Sequence, residues 1–464
     1  MNEYIFPEKV ISHDGKVLEN LYIKQPLQIG LRETKTTAFS QNGYIILDFG
    51  AELCGGVRIL TLWAKNVPVR IRFGESMSEC CSDIGGEKNA TNDHSLRDFT
   101  VHLQNYSDMS FGQTGFRFVR LDFGGDVEIK SIVAVSQILK KKALYSYTGS
   151  DRRIRDIFET AKRTVDLCAS SGYVWDGVKR DRLVWIGDMA PEVLALTTLY
   201  GRLSEVERSL ELSRKQFSLP GWMNTMPTYS LWWIIILADY YERTGAKAFT
   251  SRQLSYLSRL IKQIDGCVGE SGELRYPSYF VDWPTHGKED EKAGVRAINI
   301  YAMKRAVTLL REFGRDCTLA EDILARLLLV QIEVKESKQV LGLKFFATEL
   351  SDSDKKKLVA GGARGMSTFM SYYILKAVAS FDKPRAVEMM KEYYGGMLDK
   401  GATSFWEDFD LEWMENSSRI DELPREGELD IHGDFGAFCY VGFRHSLCHG
   451  WSAGVIAFME EEGL

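Results

Sequence analysis

The chain has 464 residues, 45% hydrophobic and 26% charged, a balance that excludes disorder and gives room for roughly two to four domains. Its formal net charge of −6, from 58 basic and 64 acidic residues, has the wrong sign for a nucleic-acid binder working by counterion release. Aromatic residues reach 12%, and of ten tryptophans only Trp63 precedes residue 150.

The first residues, MNEYIFPEKV, show no basic segment followed by an apolar one, so no secretory signal is expected. From there to about Leu144 the pattern is short and alternating. Tyr44–Phe49, Val57–Leu62, Val69–Phe73, Phe99–Leu103, Phe116–Leu121 and Val127–Ile132 read as strands, separated by turns such as Gly55-Gly56 and Gly124-Gly125. Strands at this spacing predict an antiparallel β-sandwich over residues 1–145. That part is neutral, with 17 basic and 17 acidic residues.

After Gly149 the period becomes helical. In Asp151–Ser170, Ile154, Ile157, Phe158, Ala161, Val165 and Cys168 recur every three to four residues. Further helices are expected near 189–203, 204–218, 229–245, 248–264, 291–313, 318–334, 352–358, 366–380, 384–399 and 448–461. Such an array over residues 146–464 closes into a barrel of helical hairpins or stacks as a solenoid, and the lack of a fixed-length repeat counts against the solenoid. Its most apolar stretch, Leu231–Ala238, falls far short of the ~20 residues that span a bilayer. The eight cysteines form no CxxC pair and read as reduced thiols in a cytoplasmic protein. Cys448-His449 and the scattered histidines lack zinc-type spacing, so no metal is expected.

The connections between helices carry the chemistry. Trp175–Asp188 holds Asp176, Asp181 and Asp188 among Lys179, Arg180, Arg182 and Trp185. Its plainest readings are a solvated salt-bridge cluster and, for Asp188, an N-cap to the run that follows. Tyr276–Trp283 sets Asp282 beside Trp283, Ala402–Phe409 sets Glu407 beside Trp406, and Ser446–Ser452 sets His449 and Trp451 around Gly450. Each alone is accounted for by a packed aromatic loop with a surface acid. Together they pair indole faces, which stack on pyranose C–H faces, with carboxylates that bind hydroxyls and move protons. Two carboxylates are the minimum for glycoside hydrolysis. No GxSxG elbow, Walker A motif or GxGxxG follows a strand, and Gly361–Gly365 reads as a turn.

At these residues the chain resembles the bacterial α-L-rhamnosidases of glycoside hydrolase family 78. Asp176–Asp188 is similar to the family's acidic motif, with its Asp-Cys/Gly-Pro start, Arg-Glu/Asp centre and Gly-Trp-x-Gly-Asp end. Thr403–Glu407 is similar to its Thr-Trp-Glu segment, and Ser446–Gly454 to its Ser-Leu-x-His-Gly-Trp-Ser-Ala-Gly stretch. The matches fall in family order and cover about residues 150–464; the strand-rich part is similar in kind to the β-sandwich that precedes the catalytic domain. The resemblance implies an (α/α)6 barrel that hydrolyses terminal α-L-rhamnosides with inversion and without a cofactor. It implies Asp181 as general acid, Glu407 as the base that activates water, and Asp176 and Asp188 as holders of rhamnose hydroxyls. Trp185, Asp282, Trp283, Trp406 and His449 would complete the sugar subsite, with Arg180 biasing the local acidities. Three departures are visible: Asp181 where many members carry Glu, Val178 for the usual Pro, and Val184 for the usual Gly. A compact chain with no signal fits small rhamnosides inside the cell, with no nucleic acid or membrane partner and a homodimer left open. The alternatives are an (α/α)6 glycosidase for another sugar or an unsaturated uronide, and a non-catalytic carbohydrate-binding protein.

Overall fold

A computed structural model describes residues 3–14, 19–30, 35–93 and 95–464. Among them the strands are β1 (Glu3–Ile5), β2 (Lys9–His13), β3 (Thr37–Phe39), β4 (Tyr44–Gly74), β5 (Asp98–Gln104), β6 (Ser107–Phe123) and β7 (Val127–Ser136), all hydrogen-bonded into one antiparallel sheet. The stretches expected as three separate strands at 44–49, 57–62 and 69–73 are one run, β4. Gly55-Gly56 is not a turn but a bulge. The register against β6 shifts there, and a Cβ on Gly56 would stand 2.2 Å from the Phe111 carbonyl oxygen. Both arms of β4 pair with Phe118–Phe123: Tyr44–Asp48 from one side and Val69–Gly74 from the other. The sheet therefore curls, enclosing Leu47, Ile59, Ile71, Phe73, Phe116 and Leu121. The short strands β1 to β3, with little alternation of their own, were not among the predicted ones.

A short helix, α1 (Met77–Cys81), follows β4, capped by Ser76, whose hydroxyl accepts from the Glu79 N–H at 3.2 Å. The remaining helices are α2 (Arg152–Cys168), α3 (Met189–Tyr200), α4 (Ser204–Gln216), α5 (Pro227–Thr244), α6 (Lys247–Ser251), α7 (Leu254–Asp265), α8 (Glu291–Glu312), α9 (Thr318–Leu328), α10 (Lys338–Ala347), α11 (Asp352–Val359), α12 (Ser371–Ala379), α13 (Lys383–Asp399) and α14 (Val455–Glu461). They follow the predicted segments with some differences: α9 ends at Leu328 and not at 334, and α12 begins at Ser371 and not at 366. The expected 248–264 helix is broken into α6 and α7. The first part of 448–461 is a 3-10 turn, Gly450–Gly454. Helix α10 was not expected, because its sequence is apolar nearly all round and shows no stripe. Gly342 inside it allows close approach to α12: a Cβ there would lie 2.9 Å from the Ile374 nitrogen.

Two kinds of helix alternate along the chain. Every residue of α3 is buried, and α5 is buried from Pro227 to Ala238, whereas α2, α4 and α7 bury one face. The all-round buried kind forms a closed ring, in which α3 packs on α5, α5 on α8, α8 on α10, α10 on α12, α12 on α14 and α14 on α3. The acid- and tryptophan-bearing connections lead into the N-terminal ends of these ring helices. The curled sheet docks on the same side through Met77 N–H to the Ile420 carbonyl (2.8 Å), Glu52 N–H to Thr403 Oγ1 (2.9 Å) and Thr114 Oγ1 to the Lys179 carbonyl (3.0 Å). No helix among the described residues is long and apolar enough to cross a membrane.

Candidate active site

The connection from α2 to α3 is a closed loop. Asp176 ties it off at both levels: its N–H donates to the Leu183 carbonyl at 3.1 Å, and its Oδ1 accepts from the Leu183 N–H at 2.9 Å. The chain between must reverse tightly, and Asp181 and Arg182 both sit at left-handed φ, 54° and 50°. That projects Asp181, while Arg180 and Lys179 turn inward and are buried. Gly177 bridges to His449, joining this loop to the one before α14, and the Gly450 N–H donates to the Asp176 carbonyl at 2.7 Å.

Glu407 comes from the connection after α13. Its backbone pairs with Ser446 in both senses of the loop: Glu407 N–H donates to the Ser446 carbonyl at 2.9 Å, and the Ser446 N–H donates to Glu407 Oε2 at 3.0 Å. Glu407 Oε1 accepts from Arg180 Nη2. The same guanidinium donates through Nη1 to Asp181 Oδ2 at 3.1 Å and through Nε to the Arg444 carbonyl at 2.9 Å. Burial works against the charge of Arg180, but Glu407 and then Asp181 outweigh it and raise its pKa, holding the proton more tightly. The guanidinium is thus the site's fixed charge.

His449 stands between three carboxylates, with Nε2 4.0 Å from Asp176 Oδ2, Asp188 Oδ2 and Glu407 Oε1. Burial, helped by Arg180, pushes its imidazole well below the usual range, favouring the neutral ring. Burial also lifts Asp176 far above an ordinary aspartate, with Asp188 and Asp181 adding to the rise. Asp188 is lifted to about 7, again by burial first, against the hydrogen bond that it accepts from the Tyr229 hydroxyl at 2.7 Å. Its expected N-cap role is not what the side chain does, since it makes no capping hydrogen bond to α3. Behind it, Glu192 of α3 is wholly buried and pushed up by desolvation too. Burial thus favours the uncharged forms of these acids and of the imidazole, which can donate as well as accept hydrogen bonds.

Beside Glu407 lies a tight pocket with about 10 Å³ of free space, lined by Tyr229, Phe280, Asp282, Trp283, Phe369, Asp408, Tyr440 and Trp451. That is about the room one water needs and far below the roughly 300–1,000 Å³ of ligand pockets, so a ligand would have to enter by moving the aromatic walls apart. Asp282 is held by the Thr285 N–H at 3.0 Å and Ser367 Oγ at 2.9 Å, and burial raises it. Trp283 stacks on Phe438, centroids 5.5 Å apart, and Trp451 lies 4.0 Å from the His449 ring while its indole N–H reaches the Glu407 carbonyl at 3.0 Å.

Most of the residues singled out in the sequence therefore meet around one place. Asp176, Arg180, Asp181, Asp188, Glu407 and His449 form the charged side, and Asp282 and Trp283 the cavity. Trp185 is half-buried at the edge, T-shaped against Tyr229 at 6.2 Å. Trp406 is elsewhere: its indole is fully buried against Phe409 and faces no cavity, so it packs the core and is not placed to stack on a ligand. Alternating acid and indole in a loop does not tell which of the two points inward. Sequence reading also passed over Tyr229, Asp408 and Phe280. Asp408 borders both this cavity and a larger groove along Lys335–Gln339 and Trp413, and burial lifts its carboxyl to about 7. Its place next to Glu407 was the available signal.

No family model matches the chain, and no curated protein matches it. Among solved structures it is similar to the rhamnosidase from Klebsiella oxytoca with rhamnose bound, at 20% identity and a TM-score of 0.77, covering 100% of this chain and 96% of that one. It is similar also to the GH78 family rhamnosidase of Bacillus sp. GL1, at 18% identity and a TM-score of 0.72, covering 95% of this chain and 48% of that one. The Streptomyces avermitilis α-L-rhamnosidase complexed with L-rhamnose matches at 15% identity and a TM-score of 0.63, covering 90% and 42%. The chain thus spans nearly the whole Klebsiella protein and about half of the other two. It has a GH78 rhamnosidase-like fold.

Proposed function

We propose that this protein is an inverting glycoside hydrolase that removes terminal α-L-rhamnose from small rhamnosides, with Asp181 as general acid and Glu407 as general base. The observation that carries the reading is the seat of Glu407. It lines an aromatic-walled pocket with Trp283 and Trp451 and is held by Arg180 and the Ser446 N–H, and Arg180 also holds Asp181. Two carboxylates on one guanidinium have their bonded oxygens within about 8 Å of each other. That limit admits both the roughly 5–5.5 Å of a retaining pair and the shorter part of the roughly 6.5–9.5 Å of an inverting one. The reading of inversion therefore comes from the family resemblance and is tested by the product anomer. A water held by Glu407 loses its proton to that carboxylate as its oxygen bonds to the anomeric carbon. The glycosidic bond breaks on the opposite face, and the departing oxygen takes the proton of Asp181.

The ring of contacts through α3, α5, α8, α10, α12 and α14 supports reading residues 146–464 as an (α/α)6 barrel, with residues 1–145 as an accessory β-domain. Trp283 and Phe280 would stack on the sugar, and Asp176, Asp188, Asp282 and His449 would take its hydroxyls. The test is turnover of p-nitrophenyl α-L-rhamnoside within a panel of nitrophenyl glycosides, with proton NMR of the first-formed product. Release of β-L-rhamnose is expected. Turnover of another sugar alone removes the rhamnose assignment, the α anomer as first product removes inversion, and rhamnose binding without any turnover leaves a binding protein.

A further inference from the structure

The residue that fixes the seat of Glu407 comes from the strand-rich part of the chain. Glu75 follows directly on β4 and is completely buried. Its Oε1 accepts from the Ser446 hydroxyl at 3.1 Å, and its Oε2 accepts from the Leu447 N–H. Ser446 is the residue whose peptide N–H holds Glu407 Oε2 and whose carbonyl holds the Glu407 N–H. One peptide unit separates the Glu75 carboxylate from that of Glu407.

Glu75 is itself anchored to the acidic loop. Lys179 Nζ lies 3.3 Å from Glu75 Oε2 and 3.1 Å from Glu79 Oε1, and donates to the carbonyls of Phe443 and His445, each at 2.6 Å. His432 completes the group, with Nδ1 2.8 Å from Ser76 Oγ and Nε2 2.9 Å from the His445 carbonyl. Glu75, Glu79 and His432 bring atoms of metal-ligand type within 4.8 Å of one another, and the cation standing among them is the Lys179 ammonium. Burial pushes the Glu75 carboxyl up to about 7 against the pull of Lys179. A buried, costly polar cluster is held here between two parts of the chain, and Ser446 links it to Glu407.

We propose that Glu75 is a positioning residue for Glu407, acting through the Ser446 hydroxyl and the Leu447 N–H to aim the Ser446 peptide at the base. The inference rests on the reading of Glu407 as base. The experiment compares wild type, Glu75→Gln, Ser446→Ala and the double variant. Each is measured for kcat and KM on p-nitrophenyl α-L-rhamnoside, for inhibition by L-rhamnose, and for thermal unfolding.

For Glu75→Gln, kcat falls about tenfold or more while KM and the L-rhamnose inhibition constant stay within about twofold. Ser446→Ala shows a smaller loss of the same kind. The double variant is no worse than Glu75→Gln, because both cut one connection. Additive losses, an unchanged kcat, or KM and kcat moving together would overturn the proposal. If Glu75→Gln does not fold, Ser446→Ala alone must still lose kcat selectively, or the proposal falls. Turnover of a different glycoside by the wild type overturns the rhamnose assignment only, and the same comparison is then run on that sugar. A wild type silent on the whole panel removes the base and, with it, the role of Glu75.

Discussion

Arg180 holds the carboxylates of Glu407 and Asp181 at once, one through Nη2 and the other through Nη1 at 3.1 Å. The two groups sit 226 positions apart in sequence yet share one planar donor. The structure thus couples these three side chains directly. Arg180→Lys tests this directly, because an ammonium cannot span two acceptors in a fixed fork and also reach the Arg444 carbonyl. Turnover is expected to fall about 10- to 100-fold, with the fold intact by circular dichroism. A Lys variant with wild-type kcat would show that the bridge is incidental.

Removing the acid and the base has a larger effect. Positioned proton transfer contributes about 10²–10⁴ in rate. Glu407→Gln keeps the shape of the side chain and can still accept from the Ser446 N–H, so the loss in kcat should lie in that range with L-rhamnose affinity kept. Asp181→Asn should behave likewise on substrates with poor leaving groups and lose less on p-nitrophenyl rhamnoside, whose phenolate departs with little protonation. Steady-state kinetics on nitrophenyl and methyl rhamnosides separates the two: equal losses of Asp181→Asn on both would take away its role as general acid.

Asp188 carries a prediction about pH. Its folded value of about 7 lies above the 3.9 or so of an unfolded aspartate, with burial the main cause. Between about pH 4 and 7 the unfolded chain has therefore released a proton that the folded chain keeps, and stability falls as pH rises through that window. Below it there is no penalty; above it the penalty is complete, up to about 4 kcal/mol. Asp188→Asn cannot ionise and can still accept from Tyr229. Its melting temperature should match the wild type near pH 4 and exceed it increasingly up to pH 7, while KM rises. A gap that is constant with pH would rule out this carboxyl as the source.

Much of this site was legible in the sequence because its residues are concentrated in irregular connections. Asp176, Asp181 and Asp188 read on their own as a surface salt-bridge cluster and a cap; it is the recurrence of acid–indole pairs in separate loops that points to one site. What was hidden is tertiary. The partner of Asp188 is Tyr229, on α5, and nothing local points from one to the other. Glu75 is one acid at a strand end until the fold brings it under Ser446. The same limit acts on the fold itself. Helix α10 has no polar face to give it a period, because the ring buries it, and β4 hides as three strands because its bulge uses the glycines that turns use.

The two tryptophans next to acids should now part company. Trp283 is half-buried at the pocket and stacked on Phe438, so Trp283→Ala removes one wall of the proposed sugar site. An aromatic contact of about 0.5–1.5 kcal/mol beyond area burial predicts a KM raised roughly tenfold, with little change in melting temperature. Trp406 is wholly buried, and its indole nitrogen makes no hydrogen bond. Trp406→Ala should cost about 3–5 kcal/mol of stability, whereas Trp406→Phe keeps much of the volume, loses no hydrogen bond and should leave KM where it was. Calorimetry and kinetics on the three variants decide it. A raised KM in Trp406→Phe at unchanged stability would return that ring to the sugar site.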